Sequence, residues 1–278
     1  MTAGTSATSA TSTTQPADLA ADWQSWHGER EQMLALPHGW LSLSGLHWLD
    51  TEARAYPDLP GTWRATGDGG VEITAAPGDG VSVDDVPVDG TARVDPVDGK
   101  PGVLVAVGER RVEVLRREHH HALRVRDPQA PTRTGFGGVP AFPVSEDWVV
   151  TGHFTPYDAP RRIDVDTVVD GLGFHPTAVG VVRFVLGGED QELVALGDDG
   201  PDLSELRLHF RDGTSGDETY GGGRILRTDA PADDGTVRID LNRTANLPCA
   251  FTAFATCPLP PAGNVVTVPV RAGETTPS

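Results

Sequence analysis

The stretch DGTSGDETYGGGR, residues 212–224, gathers the densest set of groups able to touch a ligand. Three consecutive glycines, Gly221, Gly222 and Gly223, let backbone N–H groups turn toward a bound molecule without interference from a Cβ. Thr214 and Tyr220 add hydroxyls, and Arg224 adds a planar fork for a carboxylate or phosphate. Ser215 lies in the same run as a candidate nucleophile. Asp217 and Glu218 oppose an anion, and a flexible hairpin loop explains the same composition without a ligand. Further on, Asp240 and Asn242 alternate with Leu241 at a strand end and so share one face. They can pair with Arg224 across a hairpin as a structural ion pair, or line the same cavity as the glycines.

The two cysteines, Cys249 and Cys257, stand eight positions apart in CAFTAFATC, too far for a CxxC redox or zinc half-site. Two small thiols packed under a proline-stiffened loop are the plainest reading. A disulfide would close a short loop, and the expected cytoplasmic glutathione poise argues against it. As a nucleophile Cys249 needs a base or a positive field, and Arg243 is the nearest basic residue in sequence. In EHHHALRV, strand alternation puts His119 and His121 on one face, but two imidazoles do not complete a metal shell, so no metal is expected. His47 and His153 read as hydrogen-bonding residues of the core.

Composition removes several classes of function. The chain has 22 basic and 40 acidic side chains and a formal charge of −18, so nucleic acid is an unfavourable partner. Lys100 is the one lysine, in the turn sequence DGKPG, where little burial is available to depress its pKa. That argues against pyridoxal-phosphate and Schiff-base chemistry. There is no GxxxxGK[ST], HExxH, GxSxG or helix-opening GxGxxG, and no cofactor is expected. No apolar run approaches the roughly 20 residues needed to cross a membrane. The opening MTAGTSATSATSTTQPADLA has neither a basic nor an apolar signal region and reads as a disordered tail. A cytoplasmic protein is the expectation.

The elements that must hold these groups are mostly strands. Trp23, Trp26, Arg30, Met33 and Leu34 recur at helical spacing, which predicts one helix from about 18 to 35, stopped by Pro37. Asp-Gly pairs at 68, 79, 89 and 98 then alternate with short valine-rich runs, the rhythm of hairpins. DPQAPTRTGFGGVPAFP breaks that rhythm, and strands such as AVGVVRFVLGG, ELRLHFRDG and TVRIDLN follow. The expected fold is all-β and mainly antiparallel with one N-terminal helix, a sandwich-like unit followed by a barrel-like unit. The divisions are a tail over 1–17, the helix and smaller unit over 18–127, a seam over 128–143 and the larger unit over 144–278.

The segments GWLSLSGLHWL, LRVRD, GFGGVPAFP, FTPY, DGTSGDETYGGGRIL and CAFTAFATCPLPPAGN together resemble the domain of unknown function 1684 family across most of the chain. That resemblance implies a β-rich fold and no particular reaction. NRTANLPC departs from the family's usual run by placing Ala245 where a tyrosine is common. The family's first half loosely resembles a forkhead-associated sandwich, but SVDDVPV stands where such domains carry an Asn-Gly turn, so phosphothreonine reading does not follow. The leading expectation is a pocket in the second unit for a small polar or anionic metabolite. The alternatives are a hydrolase or transferase acting through Ser215 or Cys249, and a protein-interaction module built on the first unit. The oligomeric state is not legible.

Overall fold

The computed structural model describes residues 16–198 and 203–277. Most of the expected tail, 1–15, lies outside the described residues, and the helix begins at Pro16. Helix α1 (Pro16–Leu34) is followed by ten short strands. These are β1 (Leu43–Leu49), β2 (Arg54–Tyr56), β3 (Leu59–Ala65), β4 (Val71–Ala75) and β5 (Val81–Val83), then β6 (Val86–Pro87), β7 (Gly90–Val94), β8 (Val103–Val107), β9 (Arg110–Arg117) and β10 (His120–Arg126). They form two antiparallel sheets, ordered β1-β10-β9-β8-β5-β6 and β2-β3-β4-β7. Trp63, Val71 and Ile73 of the second face Val105, Val112, Val114 and Leu123 of the first across one apolar core. This is the sandwich-like unit.

Its turns explain the Asp-Gly rhythm. Gly69, Gly80, Gly90 and Gly99 have φ of +94°, +70°, +88° and +69°, a region that costs glycine nothing and other residues something. The β5–β6 hairpin achieves the same geometry differently. Asp84 and Asp85 both take positive φ, at 48° and 64°, as a two-residue hairpin turn matching the strand twist requires.

A short helix α2 (Pro131–Thr134) and an extended segment lead into β11 (Val149–Arg162), β12 (Val165–Asp166), β13 (Gly173–Phe174), β14 (Thr177–Leu186) and β15 (Glu189–Leu196). Then come β16 (Glu205–Phe210), β17 (Arg224–Asp229), β18 (Thr236–Asp240) and β19 (Ala245–Asn246). Seven of these make one antiparallel sheet, β18-β11-β14-β15-β16-β17-β19. The sheet curls until β17 packs against β18 from the opposite edge, which gives it a barrel-like form. Phe154, Phe184, Leu208, Phe210 and Ile239 fill the inside, joined by Val266, Val270 and Ala272 from the segment after the last strand. The mainly antiparallel fold with a single long N-terminal helix agrees with the reading from sequence. No helix among the described residues is long and apolar enough to cross a membrane.

Helix α1, expected with the first unit, makes its long-range polar contacts with the second unit and with Val139 of the seam, where His27 meets the carbonyl at 3.1 Å and Glu31 accepts from the amide at 2.7 Å. The Trp23 indole donates to the Asn242 carbonyl at 2.7 Å, and Arg30 donates to the Asn246 carbonyl at 2.8 Å. Arg30 also grips both oxygens of Glu274, a carboxylate with no exposed side-chain surface. Met33, expected on the docking face, is 68% exposed, while Leu19 and Leu34 are buried. The two units meet through Arg124 of β10, which donates to the Phe254 carbonyl and to the Thr256 hydroxyl at 3.2 and 3.1 Å. Glu113 neutralises Arg124 and Arg126 from the neighbouring strand β9.

Candidate functional site

Arg224, the expected anion grip, is a buried strut. Its side chain has no exposed surface, and every contact it makes is internal. Nη1 donates to the carbonyls of Ala272 and Glu274 at 2.6 and 2.9 Å. Nη2 donates to Val270 O at 2.8 Å and to Asp212 Oδ2 at 3.0 Å. Burial pulls the guanidinium below its ordinary pKa, and the Asp212 carboxylate opposes that shift. The other Asp212 oxygen accepts from the backbone and hydroxyl of Thr214 and from the Val270 amide. Both terminal nitrogens of the fork are thus committed to the segment 270–274 and Asp212, and Nε lies buried without a partner.

The neighbouring candidates follow the same logic. Thr214 is buried, and its hydroxyl also meets that of Thr219 at 2.9 Å. Ser215 accepts from the Asp212 amide at 3.1 Å, so its partner is a turn amide and not a base. The glycines serve packing. A Cβ on Gly222 would fall 2.3 Å from the Tyr220 ring, and Gly223 has φ +89° with Phe210 O only 2.7 Å from the same position. Gly221 lies against Gly216 in the same folded turn. Burial raises the Tyr220 phenol.

Asp240 and Asn242 do not join Arg224, whose carboxylate partner is Asp212. Asp240 accepts from the Asn242 amide and side chain at 3.2 and 2.9 Å and pairs with Arg238. Asn242 exchanges two hydrogen bonds with the backbone of Ser145. Both residues brace the chain entering β11. His121 contacts Gly69 O at 2.8 Å while His119 is exposed, so the two do not converge. His153 contacts Asp234 O at 3.1 Å at an exposed edge.

The expectation of free thiols is corrected. Cys249 and Cys257 form a disulfide with Cα atoms 6.1 Å apart, within the ordinary span. Pro248 opens a short 3-10 turn at one cysteine, and each sulfur accepts from the backbone N–H of the other cysteine, which folds the loop back on itself. Cys249 is thus not a nucleophile in this form. Closing so short a loop contributes about 2–3 kcal/mol by chain entropy. Cys249→Ser/Cys257→Ser should lower stability by about that amount in urea unfolding. Intact-mass analysis of unreduced protein should show the bridge. Two alkylatable thiols in native protein never exposed to reductant would contradict it.

The groups able to meet a ligand lie elsewhere, in a cleft of 710 Å³ between the units. One wall is the outer face of the barrel. Alternation along β16 turns Leu206, Leu208 and Phe210 into the core, and Arg207 and His209 outward. Their partners across the ladder, Arg227 and Ile225 of β17, line the same wall. The opposite wall is the pair of turns at 98–100 and 117–118 from the sandwich, tied together where Arg117 donates to Lys100 O at 3.0 Å. Leu247 and Pro258, flanking the disulfide loop, close the side.

Five permanent cations line this space: Lys100, Arg117, Arg162, Arg207 and Arg227. Three carboxylates accompany them, Asp98, Glu118 and Asp198. Arg207 is held by Asp198 at 2.7 Å, and Arg227 by Glu205. Among the described residues, Lys100, Arg117 and Arg162 have no carboxylate within salt-bridge distance. His175 bridges the walls, with Asp164 at 2.7 Å on one nitrogen and Glu118 at 3.5 Å on the other.

His209 is the most deeply buried polar side chain on the cleft wall, at 2% exposure. Its Nε2 is shielded from solvent and has no hydrogen-bond partner. Burial and the nearby Arg211 charge push its pKa down to about 4, so the ring is neutral near pH 7. An orphaned buried nitrogen is costly unless something completes it. Sequence reasoning passed over these residues, although ELRLHFR carries the signal. Arg207, His209 and Arg211 alternate with apolar residues, which marks a polar face on a strand buried on its other side.

The family profile for a protein of unknown function, DUF1684, matches residues 134–275. No curated protein matches the chain. The solution NMR structure of an uncharacterized protein from Haloarcula marismortui is similar at 29% identity, covering 52% of this chain and 79% of that one, with a TM-score of 0.44.

Proposed function

The chain belongs to the DUF1684 family of proteins of unknown function, and from that premise we propose that it binds a small anionic metabolite in the cleft between its two β units. The observation that carries this reading is the local reversal of charge. A chain with a formal charge of −18 concentrates five permanent cations around one concavity, three of them without a carboxylate in contact among the described residues. Cations gathered around one concavity repel one another and focus a positive potential there, which an anionic ligand relieves. The concavity is also of the size that small-molecule sites occupy. The site thus keeps the ligand class expected from sequence but moves it from the glycine-rich loop to the outer barrel face and the sandwich turns above it. Neither Ser215 nor Cys249 lies with a base, so no observation favours hydrolysis or transfer through them.

The test is titration with inorganic phosphate and with citrate, followed by calorimetry. Lys100→Gln/Arg162→Gln should weaken binding at least tenfold, with little change in unfolding temperature because both side chains are exposed. Raising salt should weaken the wild type more than the variant. Equal affinities for the two proteins would sink this reading.

A further inference from the structure

Resting on that anion-binding reading, we infer that the Cys249–Cys257 bridge is a thiol–disulfide exchange site for an external dithiol, and that its state sets the anion affinity of the cleft. The bridge closes segment 249–257 where three parts of the molecule meet. From the sandwich, Arg124 of β10 reaches Phe254 O and Thr256 Oγ1, both inside the closed loop, and Leu43 of β1 packs with Ala255 and Cys257. From the second unit, the Val168 amide donates to Cys257 O at 3.0 Å, and the Leu259 amide donates to Asp166 O at 2.7 Å. Those two bonds fasten the loop to the β12–β13 hairpin, and Gly173 and Phe174 of that hairpin line the cleft. Leu247 and Pro258, just outside the closed loop, are cleft wall themselves.

The opposite wall is reached through the ladder. Arg124 pairs with Glu113 of β9, and β9 runs on to Arg117 in the turn that faces the barrel. The closed loop therefore bears on both sides of the cleft. Opening the bridge returns to segment 249–257 the chain freedom that closure removed. A looser segment no longer fixes the acceptors of Arg124 or the hairpin, and cations that are less preorganised bind an anion more weakly. The sulfurs suit the exchange. A thiolate of the dithiol attacks Sγ of Cys249, the more exposed of the two residues, forms a mixed disulfide and expels Cys257 as a thiolate. The second thiol of the reductant then displaces Cys249. The bridge has gained two electrons and two protons, and the dithiol has become a disulfide. The Cys249 amide donates to Cys257 Sγ at 3.3 Å and stabilises the charge on that departing sulfur, as the Cys257 amide does for Cys249 Sγ at 3.1 Å. The same two bonds favour reclosure, because each holds a sulfur toward the other cysteine.

The test titrates inorganic phosphate and citrate into wild-type protein before and after treatment with dithiothreitol, at matched ionic strength. The reduced form should stay folded by near-UV circular dichroism and bind roughly tenfold more weakly. Linkage makes the effect reciprocal. Saturating phosphate should raise, by the same factor, the ratio of reduced to oxidised dithiothreitol needed to open half of the bridges, read by mass after alkylation. Cys249→Ser/Cys257→Ser should bind phosphate as the reduced protein does, and the wild-type measurements stand if that variant does not fold. Equal affinities in the two redox forms overturn the coupling while the anion cleft stands. Loss of the whole fold on reduction also overturns it, since the bridge would then hold the molecule and not a joint. If neither form binds phosphate or citrate, the cleft reading falls together with the coupling.

Discussion

Arg224→Ala is expected to destabilise the protein by about 3–5 kcal/mol, the loss seen when one partner of a buried ion pair is removed. The effect is large because the truncation orphans more than a charge. Asp212 is left buried without its counterion, and the carbonyls of Val270, Ala272 and Glu274 lose their donor together. Those carbonyls belong to the segment that places Val266, Val270 and Ala272 in the barrel core, so apolar packing is lost with the hydrogen bonds. Arg224→Lys should recover little, because one ammonium cannot reproduce four contacts in a planar fork. Urea unfolding measures the difference directly. A loss below about 1 kcal/mol, the range of an exposed ion pair, would mean that the guanidinium is not buried as described. Phosphate affinity should persist in whatever fraction remains folded, since Arg224 is not on the cleft wall.

Acidification should cost about 3 kcal/mol through His209 alone. Its folded pKa lies at about 4, against 6.5 for the unfolded chain, and each unit of difference corresponds to roughly 1.4 kcal/mol. Above pH 6.5 the ring is neutral in both states and makes no difference. As the pH falls below 6.5, the unfolded chain takes up a proton that the folded protein refuses, so stability declines until about pH 4. Carboxylates add their own acid dependence: burial pushes Glu113 up, but Arg126 and Arg124 together outweigh it and hold the carboxyl below its ordinary range. The difference between wild type and His209→Phe isolates the imidazole. The stability of the wild type relative to His209→Phe should fall by about 3 kcal/mol between pH 7 and pH 4, and parallel curves between those limits would refute the buried neutral ring.

The parts of the fold readable in the sequence were those set by local geometry. Asp98–Gly99 marks a turn because its glycine must take positive φ, and Trp23 and Trp26 mark a helix because their spacing matches its period. Asp84–Asp85 shows the limit, since two non-glycine residues perform a turn usually flagged by Asn-Gly. The site was less legible. The glycines, hydroxyls and arginine of 212–224 have the composition of a ligand loop, yet the same residues build a dense internal joint. What distinguishes the two is where segment 270–274 runs, and nothing in 212–224 encodes that. Lys100, Arg162 and Arg227 come from three distant segments, and only the meeting of two sheets makes them neighbours. His209 was passed over although strand alternation alone assigns it to the face of Arg207.

The clasp between Arg30 and Glu274 has a consequence for how the chain is made. The two residues are 244 positions apart, and ribosomes add roughly 5–20 residues each second. Helix α1 therefore emerges on the order of ten to fifty seconds before its anchor exists. During that interval the sandwich can complete its two sheets, whereas Trp23 and Trp26 have no surface to cover them. Synonymous changes that slow translation beyond residue 126 should accordingly lower soluble yield more than equal delays before residue 43, with no change in the finished molecule.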